Sequence, residues 1–274
     1  MKSILLGLDD SEYTDSAIEL AIQWGRQFDC LVVGLGVIDE PKLRGEHHVE
    51  GGRVDAVFDQ LVSSARRRVE GLLESFTLRC SEAQVSHKLL EDVGSPTERI
   101  LLEAQRYDLV MLGQQTHFHF QTQSRPCKTL ENVLRVAPRP VVAVPKTIQE
   151  GSGILIAYDG SLQSVRTLYT FVTTGLQTVG DVTVLNVHTG SHVESAKTTD
   201  RAVEFLGFHG VRAKAQQIAS TESPGKVILG EVARQEAGLL VMGAYGQPRI
   251  TEFLVGSTTR KALNECPVPV LLYH

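Results

Sequence analysis

The chain has 274 residues, 42% of them hydrophobic, which is enough for one large or two ordinary domains with real cores. A formal net charge of -5 and an isoelectric point near 6.0 argue against a general nucleic-acid binder, and Arg66-Arg67-Arg68 is too short a basic run to offset them. Four cysteines, Cys30, Cys80, Cys127 and Cys266, lie far apart without a Cys-x-x-Cys pair, which argues against a zinc ribbon or a disulfide framework and fits a reducing cytoplasm. The start "MKSILLGLDD" is too short in its apolar run for a signal peptide, and no run approaches a membrane span, so the expected location is cytoplasmic.

Taken in chain order, β-branched runs alternate with helical spacing. Strands are predicted at 3-8, 31-38, 84-90, 108-113 and 140-144. A helix is predicted from Val54 to Phe76, with apolar residues at Val54, Val57, Phe58, Leu61, Val62, Ala65, Val69, Leu72 and Leu73 on one stripe. A linker falls near "KTIQEGSG". Strands then follow at 153-158, 181-187, 210-218, 239-242 and 269-273. Strand-helix alternation implies parallel sheets covered on both faces.

The second series repeats the first. "ILLGLDDSEYTDSAIELA" from Ile4 is matched by "ILIAYDGSLQSVRTLYTF" from Ile154, which puts Asp9 in register with Asp159 and Ser11 with Ser161. Val37 pairs with Val187, Pro96 with Pro224 and Gly113 with Gly243. The offset falls from about 150 to about 130 residues midway, which places an insertion, "DEPKLRGEHHVEGGR" and a longer helix, in the first half. The chain therefore reads as two α/β domains, 1-147 and 152-274.

An open parallel sheet binds ligands beyond the carboxyl ends of its strands, where strand order reverses. Two loops of the second half belong there. One carries Tyr158-Asp159-Gly160. The other is "MGAYGQPRITEFLVGSTTRKA", from Met242 to Ala262. Gly243 and Gly246 can adopt φ > 0 and admit a ligand close to the backbone. Gly256-Ser257 opens the last helix, whose free N–H groups and positive dipole end attract phosphate, and the hydroxyls of Ser257 and Thr258 add donors. Asp159 can accept a hydrogen bond from an amino group such as that of adenine. Each feature also has a plain structural reading. The glycines suit a turn, Ser257 suits an N-cap, and "DGS" suits either. Their convergence on one crevice favours a nucleotide. No G-x-x-x-x-G-K-[ST] and no G-x-G-x-x-G after a first strand is present, so neither a P-loop nor a dinucleotide fingerprint applies.

Over nearly all its length the chain resembles a tandem universal stress protein of the UspA superfamily. The resemblance implies two Rossmann-like domains, each a five-stranded parallel sheet in the order 3-2-1-4-5 with helices on both faces. Nucleotide-binding members carry G-x2-G-x9-G-[ST] after strand four, and Gly243, Gly246, Gly256 and Ser257 match it. The family's strand-one Asp corresponds to Asp159 and its adenine-contacting Val to Val187. The nucleotide-binding candidates are thus Ala157, Tyr158, Asp159, Val187, Met242, Gly243, Gly246, Arg249, Gly256, Ser257 and Thr258, for ATP or ADP with Mg. Glu222 stands where the family often has Gly, which puts a carboxylate on the rim. The resemblance also implies pairing through the last strands, here "RPVVAVP" and "VPVLLYH", as a pseudo-dimer within one chain, and a homodimer beyond it.

The first half departs from the motif. Its aligned residues are Gly113, Thr116, Pro126 and Cys127. Thr116 is disfavoured at φ > 0, Pro126 has no N–H and Cys127 no hydroxyl. With Asp9 and Val37 retained, an adenine-sized cleft without a phosphate cradle is expected, and nucleotide in the second domain only. In the loop "THFHF", His117 and His119 are weak metal candidates, and Glu46 to His48 weaker still. No catalytic set is legible, so at most slow ATP hydrolysis is expected, with Arg249, Arg260 or Lys261 as phosphate cations. Three functions stay open: an ATP-binding stress-response or signalling module, a nucleotide-independent interaction or scaffold protein, and an α/β hydrolase or transferase acting on a nucleotide. The glycine pattern favours the first over the second, and the absence of a nucleophile disfavours the third.

Overall fold

Residues 1-39, 54-118, 128-244 and 256-274 are described by the structure, a computed structural model. The chain divides into two compact units, 1-139 and 140-274. The first comprises β1 (Ser3–Leu8), α1 (Thr14–Phe28), β2 (Leu31–Ile38), α2 (Val54–Glu82), β3 (His87–Val93), α3 (Pro96–Ala104), β4 (Leu109–Gly113) and α4 (Thr129–Val136). The second comprises β5 (Val141–Val144), β6 (Gly153–Ala157), α5 (Leu162–Thr174), β7 (Asp181–His188), α6 (His192–Phe208), β8 (Ala213–Ala219), α7 (Pro224–Arg234), β9 (Ala237–Gly243), α8 (Ser257–Glu265) and β10 (Val270–Tyr273).

In the first unit the parallel order is β3-β2-β1-β4. In the second it is β8-β7-β6-β9-β10, with β5 added antiparallel to β10 so that Val142 faces Leu271. The expected strands of "RPVVAVP" and "VPVLLYH" do pair, but both fall in the second unit, so the first unit lacks the fifth strand expected of it. Strand order reverses at β6, which has β7 on one side and β9 on the other. A crevice therefore opens beyond the carboxyl ends of these strands.

The central strands are buried on both faces and are correspondingly apolar throughout. Ile4, Leu5, Leu6 and Leu8 in β1 are fully covered, as are Leu240 and Val241 in β9. Helices seal the faces with large side chains, Phe76 from α2 and Phe171 from α5, each at 0% exposure. Truncating either to Ala costs roughly 3-5 kcal/mol.

Two element boundaries differ from the periodicity reading for one shared reason. Helix α2 runs to Glu82, not 76, because its buried stripe continues through Phe76 and Cys80. It is closed by Gln84 at φ 56 and by a bond from Val85 N–H to the Cys80 carbonyl (2.9 Å), so β3 starts at His87. In the second unit Gly210 (φ 74) and Val211 N–H to Leu206 O (2.9 Å) close α6 in the same way, and β8 starts at Ala213. A left-handed residue ends each helix before the β-branched run can extend.

Candidate functional site

Strand β6 ends at Ala157, and the chain turns through Tyr158, Asp159 and Gly160, the last at φ 76. Ser161 caps α5 by accepting from Ser164 N–H (3.3 Å), and Ser161 N–H donates to Asp159 Oδ1 (2.9 Å). Asp159 thus shapes the turn and still lies exposed on its lip. The turn is pinned from beneath. Asn186 Nδ2 donates to Tyr158 O (2.7 Å), and Ser195 Oγ donates to Asn186 Oδ1 (2.6 Å). Burial, then the neighbouring Asp159 charge, pushes the Tyr158 phenol above its ordinary value of 10.0.

Opposite this turn, β9 ends at Gly243. The expectation of positive φ does not hold there, because among the described residues the glycines with positive φ are Gly94, Gly160, Gly175 and Gly210. The reason for glycine is close approach instead. A Cβ on Gly243 would sit 2.8 Å from Ser164 N and 2.9 Å from the Gln163 carbonyl carbon. The first turn of α5 occupies the space a side chain would need. Gly256, at φ -55 and ψ 144, is the N-cap of α8, and Ser257 is its first helical residue, not the cap. The first intrahelical bond runs from Arg260 N–H to Gly256 O (2.9 Å). The N–H groups of Ser257, Thr258 and Thr259 precede it and have no acceptor within the helix.

These parts enclose a cleft of about 520 Å³. Its apolar lining is Ala157, Leu185, Val187, Ile228 and Met242, and its polar lining is the hydroxyls and helix starts of Ser161 and Ser164 in α5 and Gly256, Ser257, Thr258 and Thr259 in α8. Tyr158, Asp159, Gly243 and Pro224 complete the lining. Ala157, Tyr158, Asp159, Val187, Met242, Gly243, Gly256, Ser257 and Thr258, all singled out from sequence, meet in this one space. Gly246 and Arg249 lie outside the described residues.

Sequence reasoning missed Ser161 and Ser164, Leu185, Pro224, Ile228 and Thr259. Pro224 had a readable signal, since Pro at the first helical position after a strand marks a helix start aimed at the strand ends. With it, α5, α7 and α8 all begin at the cleft, and each helix start carries roughly half a positive charge. The rim carboxylate expected to oppose an anion is offset. Glu222 is exposed and pairs with Lys226 Nζ at 2.5 Å. Lys261, considered from sequence as a phosphate cation, is instead held by Glu265 at 2.7 Å.

Among the described residues the cleft brings no nucleophile within reach of a paired base. Burial pushes the Cys30, Cys80 and Cys266 thiols up to about 11, far from nucleophilic use. Among the described residues no group of three or more His, Cys, Asp or Glu side chains is placed to hold a metal ion. His117 points its backbone N–H at Asp9 (2.5 Å), while His119, Glu46, His47 and His48 lie outside the described residues. Among the described residues no helix is long and apolar enough to cross a membrane.

The equivalent place in the first unit is filled, which corrects the expectation of a persisting adenine-sized cleft. Asp9 is 2% exposed, and Val37 and Phe118 are fully buried. Asp9 accepts from Ser11 Oγ (2.7 Å), Thr14 Oγ1 (2.6 Å) and His117 N–H (2.5 Å). Burial raises its carboxyl pKa above the usual 3.8, against the opposing effect of these donors. The space over Gly7, the counterpart of Ala157, is taken. A Cβ there would lie 2.4 Å from Leu112 Cδ2 and 3.1 Å from Phe118 Cζ. Thr116 is also buried, with Oγ1 unpartnered. Pro126 and Cys127 lie outside the described residues.

Two α/β repeats, the second with a cleft at its switch point, define a tandem protein of the doubly wound α/β class. The universal stress protein family profile matches residues 1-145 and again 153-274. The chain belongs to the universal stress protein family. A universal stress protein from Archaeoglobus fulgidus DSM 4304 has a similar fold, with a TM-score of 0.73 at 19% identity, covering 99% of this chain and 97% of that one. A functionally unknown protein from Pseudomonas aeruginosa PAO1 has a TM-score of 0.60 at 14% identity, over 100% and 92% of the two chains. In sequence, the universal stress protein Slr1230 of Synechocystis sp. is 26% identical over 176 residues, which span 61% of this chain and 58% of that protein.

Proposed function

We propose that the second unit binds an adenine nucleotide, ATP or ADP, and that the protein acts as a nucleotide-dependent stress-response or signalling module. The observation that carries this reading is one cleft lined both by apolar side chains and by anion-attracting helix starts. A planar base suits the space among Ala157, Leu185, Val187, Ile228 and Met242. Phosphates suit the N–H groups that open α8, with the hydroxyls of Ser257 and Thr258 beside them. Asp159, at the lip, is a hydrogen-bond acceptor for an exocyclic amine, which favours adenine over a base presenting a carbonyl there. Gly246 and Arg249 join the phosphate side in this reading. Mg would accompany the polyphosphate as its counter-ion.

The role is recognition more than chemistry. Among the described residues lining the cleft no nucleophile is paired with a general base, and hydrolysis is expected to be slow. Nucleotide is expected to alter a surface beside the cleft that a partner reads. The test is thermal. ATP at about 100 times its Kd stabilises by about 2.7 kcal/mol, readable as a rise in Tm, and adenosine gives a smaller rise. Equal Tm values with and without millimolar ATP would count against the proposal.

A further inference from the structure

The closed first unit repeats the chemistry of the open second one with its own atoms. Where the second cleft has Ala157, Val187 and Asp159, the first unit has Gly7, Val37 and Asp9. In the second these residues line open space. In the first, the segment after β4 folds over them. It carries Gln114, Thr116 and Phe118, exposed by 9%, 1% and 0%. The ring edge of Phe118 comes so near Gly7 that a Cβ there would lie 3.1 Å from Cζ. The backbone N–H of His117 lies 2.5 Å from Asp9 Oδ2. An aromatic ring against strand one, next to an N–H donated to the strand-one aspartate, is the pair of contacts proposed above for a base and its amine.

We propose that Phe118 and the His117 amide are a built-in stand-in for a base, and that beneath them the first unit keeps a base-sized site occupied by its own chain. This rests on reading the second cleft as the base site. The physical advantage is concentration. A group tethered a few residues from β4 competes as though present at millimolar levels or above, so a free base cannot displace it at ordinary concentrations. Its hydrogen bond also answers a need of the fold. Asp9 is buried, and a buried carboxylate without donors is costly. Ser11 and Thr14 supply donors from the chain beyond β1, and His117 supplies one from the chain beyond the neighbouring β4. The first unit is thereby held in a filled state whatever the nucleotide level, while the second fills and empties.

The test is a change in stoichiometry. Adenosine is the probe, because the aligned phosphate positions of the first repeat are Pro126 and Cys127. Phe118→Gly, titrated with adenosine, is expected to take up one equivalent per chain more than the unmodified protein. Adding Asp9→Ala to that variant is expected to remove that equivalent. A folded Phe118→Gly variant with unmodified stoichiometry would overturn the proposal. The unmodified protein gives an independent reading by amide hydrogen exchange. His117 and Phe118 are expected to be protected as strongly as β4, with and without ATP, and fast exchange there would also overturn it. Failure of the nucleotide reading is separate. It appears as no uptake by the unmodified protein, while the increment caused by Phe118→Gly still decides the present point.

Discussion

Gly113 and Gly243 end equivalent strands and are both indispensable by sterics, yet they serve opposite outcomes. A Cβ on Gly113 would lie 2.6 Å from Tyr13 Cβ and 3.1 Å from Gln115 O, so this glycine lets the chain fold back onto its own unit. A Cβ on Gly243 would lie 2.8 Å from Ser164 N, so this one lets the start of α5 reach the lip of an open cleft. The same residue at the same place closes one site and shapes the other. After Gly113, Thr116 and Phe118 are buried against their own unit, whereas the cleft beside Gly243 is lined by the helix start at Gly256 and Ser257.

The largest effect should come from breaking the open side of this comparison. Gly243→Val drives a side chain into the first turn of α5, and nucleotide affinity should fall by about 100-fold, equivalent to the ~3 kcal/mol upper end of overpacking. Gly113→Val should cost about 1-3 kcal/mol of stability and leave nucleotide affinity unchanged. Calorimetric titration of both variants checks the pair, and unaltered binding by Gly243→Val would break the account of the cleft. A smaller and more selective effect is expected of Ser257→Ala. ATP should bind about tenfold more weakly, the ~1.4 kcal/mol of one charge-assisted hydrogen bond, with adenosine unaffected. Equal losses for the two ligands would move Ser257 away from the phosphates.

The two units also share an Arg–Glu pair one helical turn apart, Glu103–Arg106 and Glu231–Arg234, but only the second builds a network around it. Gln216 and Gln235 both donate to Glu231 Oε2 at 2.8 Å. Hydrogen bonding from Arg234, then from the two glutamines, holds the Glu231 carboxyl at about 2, below its usual 4.5, against the opposing effect of burial. A depressed acid stabilises the fold when ionised. Its contribution is complete above pH 4.5 and is lost as pH falls through about 2. Glu231→Gln should therefore flatten the acid limb of stability in that window, as followed by denaturant midpoints at a series of pH values. The smallest effect belongs to Thr116→Val. The substitution removes a buried hydroxyl that has no partner and keeps the shape, so stability should be unchanged or rise by up to about 1 kcal/mol. A loss of 2 kcal/mol or more would mean that the hydroxyl holds the plug.

Most of the fold was legible because its signals are local. The β-branched runs and the repeats of Asp9 in Asp159 and of Pro96 in Pro224 are all read within a few residues. The ends of α2 and α6 were not, because a left-handed Gln84 or Gly210 is a backbone choice that helical spacing does not display. In the cleft, the glycine spacing brought out Gly243, Gly256 and Ser257. The role of Gly243 was misread, since close approach by α5 is a tertiary fact. Ser164 and Thr259 were missed because which hydroxyl of a first helical turn faces the crevice depends on the phase of the helix against the sheet. The first unit misled more. "THFHF" drew attention to its histidines, whereas the structure makes use of the His117 backbone and the Phe118 ring. A loop phenylalanine gives no sequence sign of whether it is buried.

The asymmetry between the units is tested most directly by mass spectrometry of the intact protein in the presence of saturating ATP, counting nucleotide per chain. The account predicts one nucleotide per chain, at clearly reduced occupancy in Gly243→Val and at full occupancy in Gly113→Val. Two per chain would contradict the closed first unit, and none would contradict the open second one.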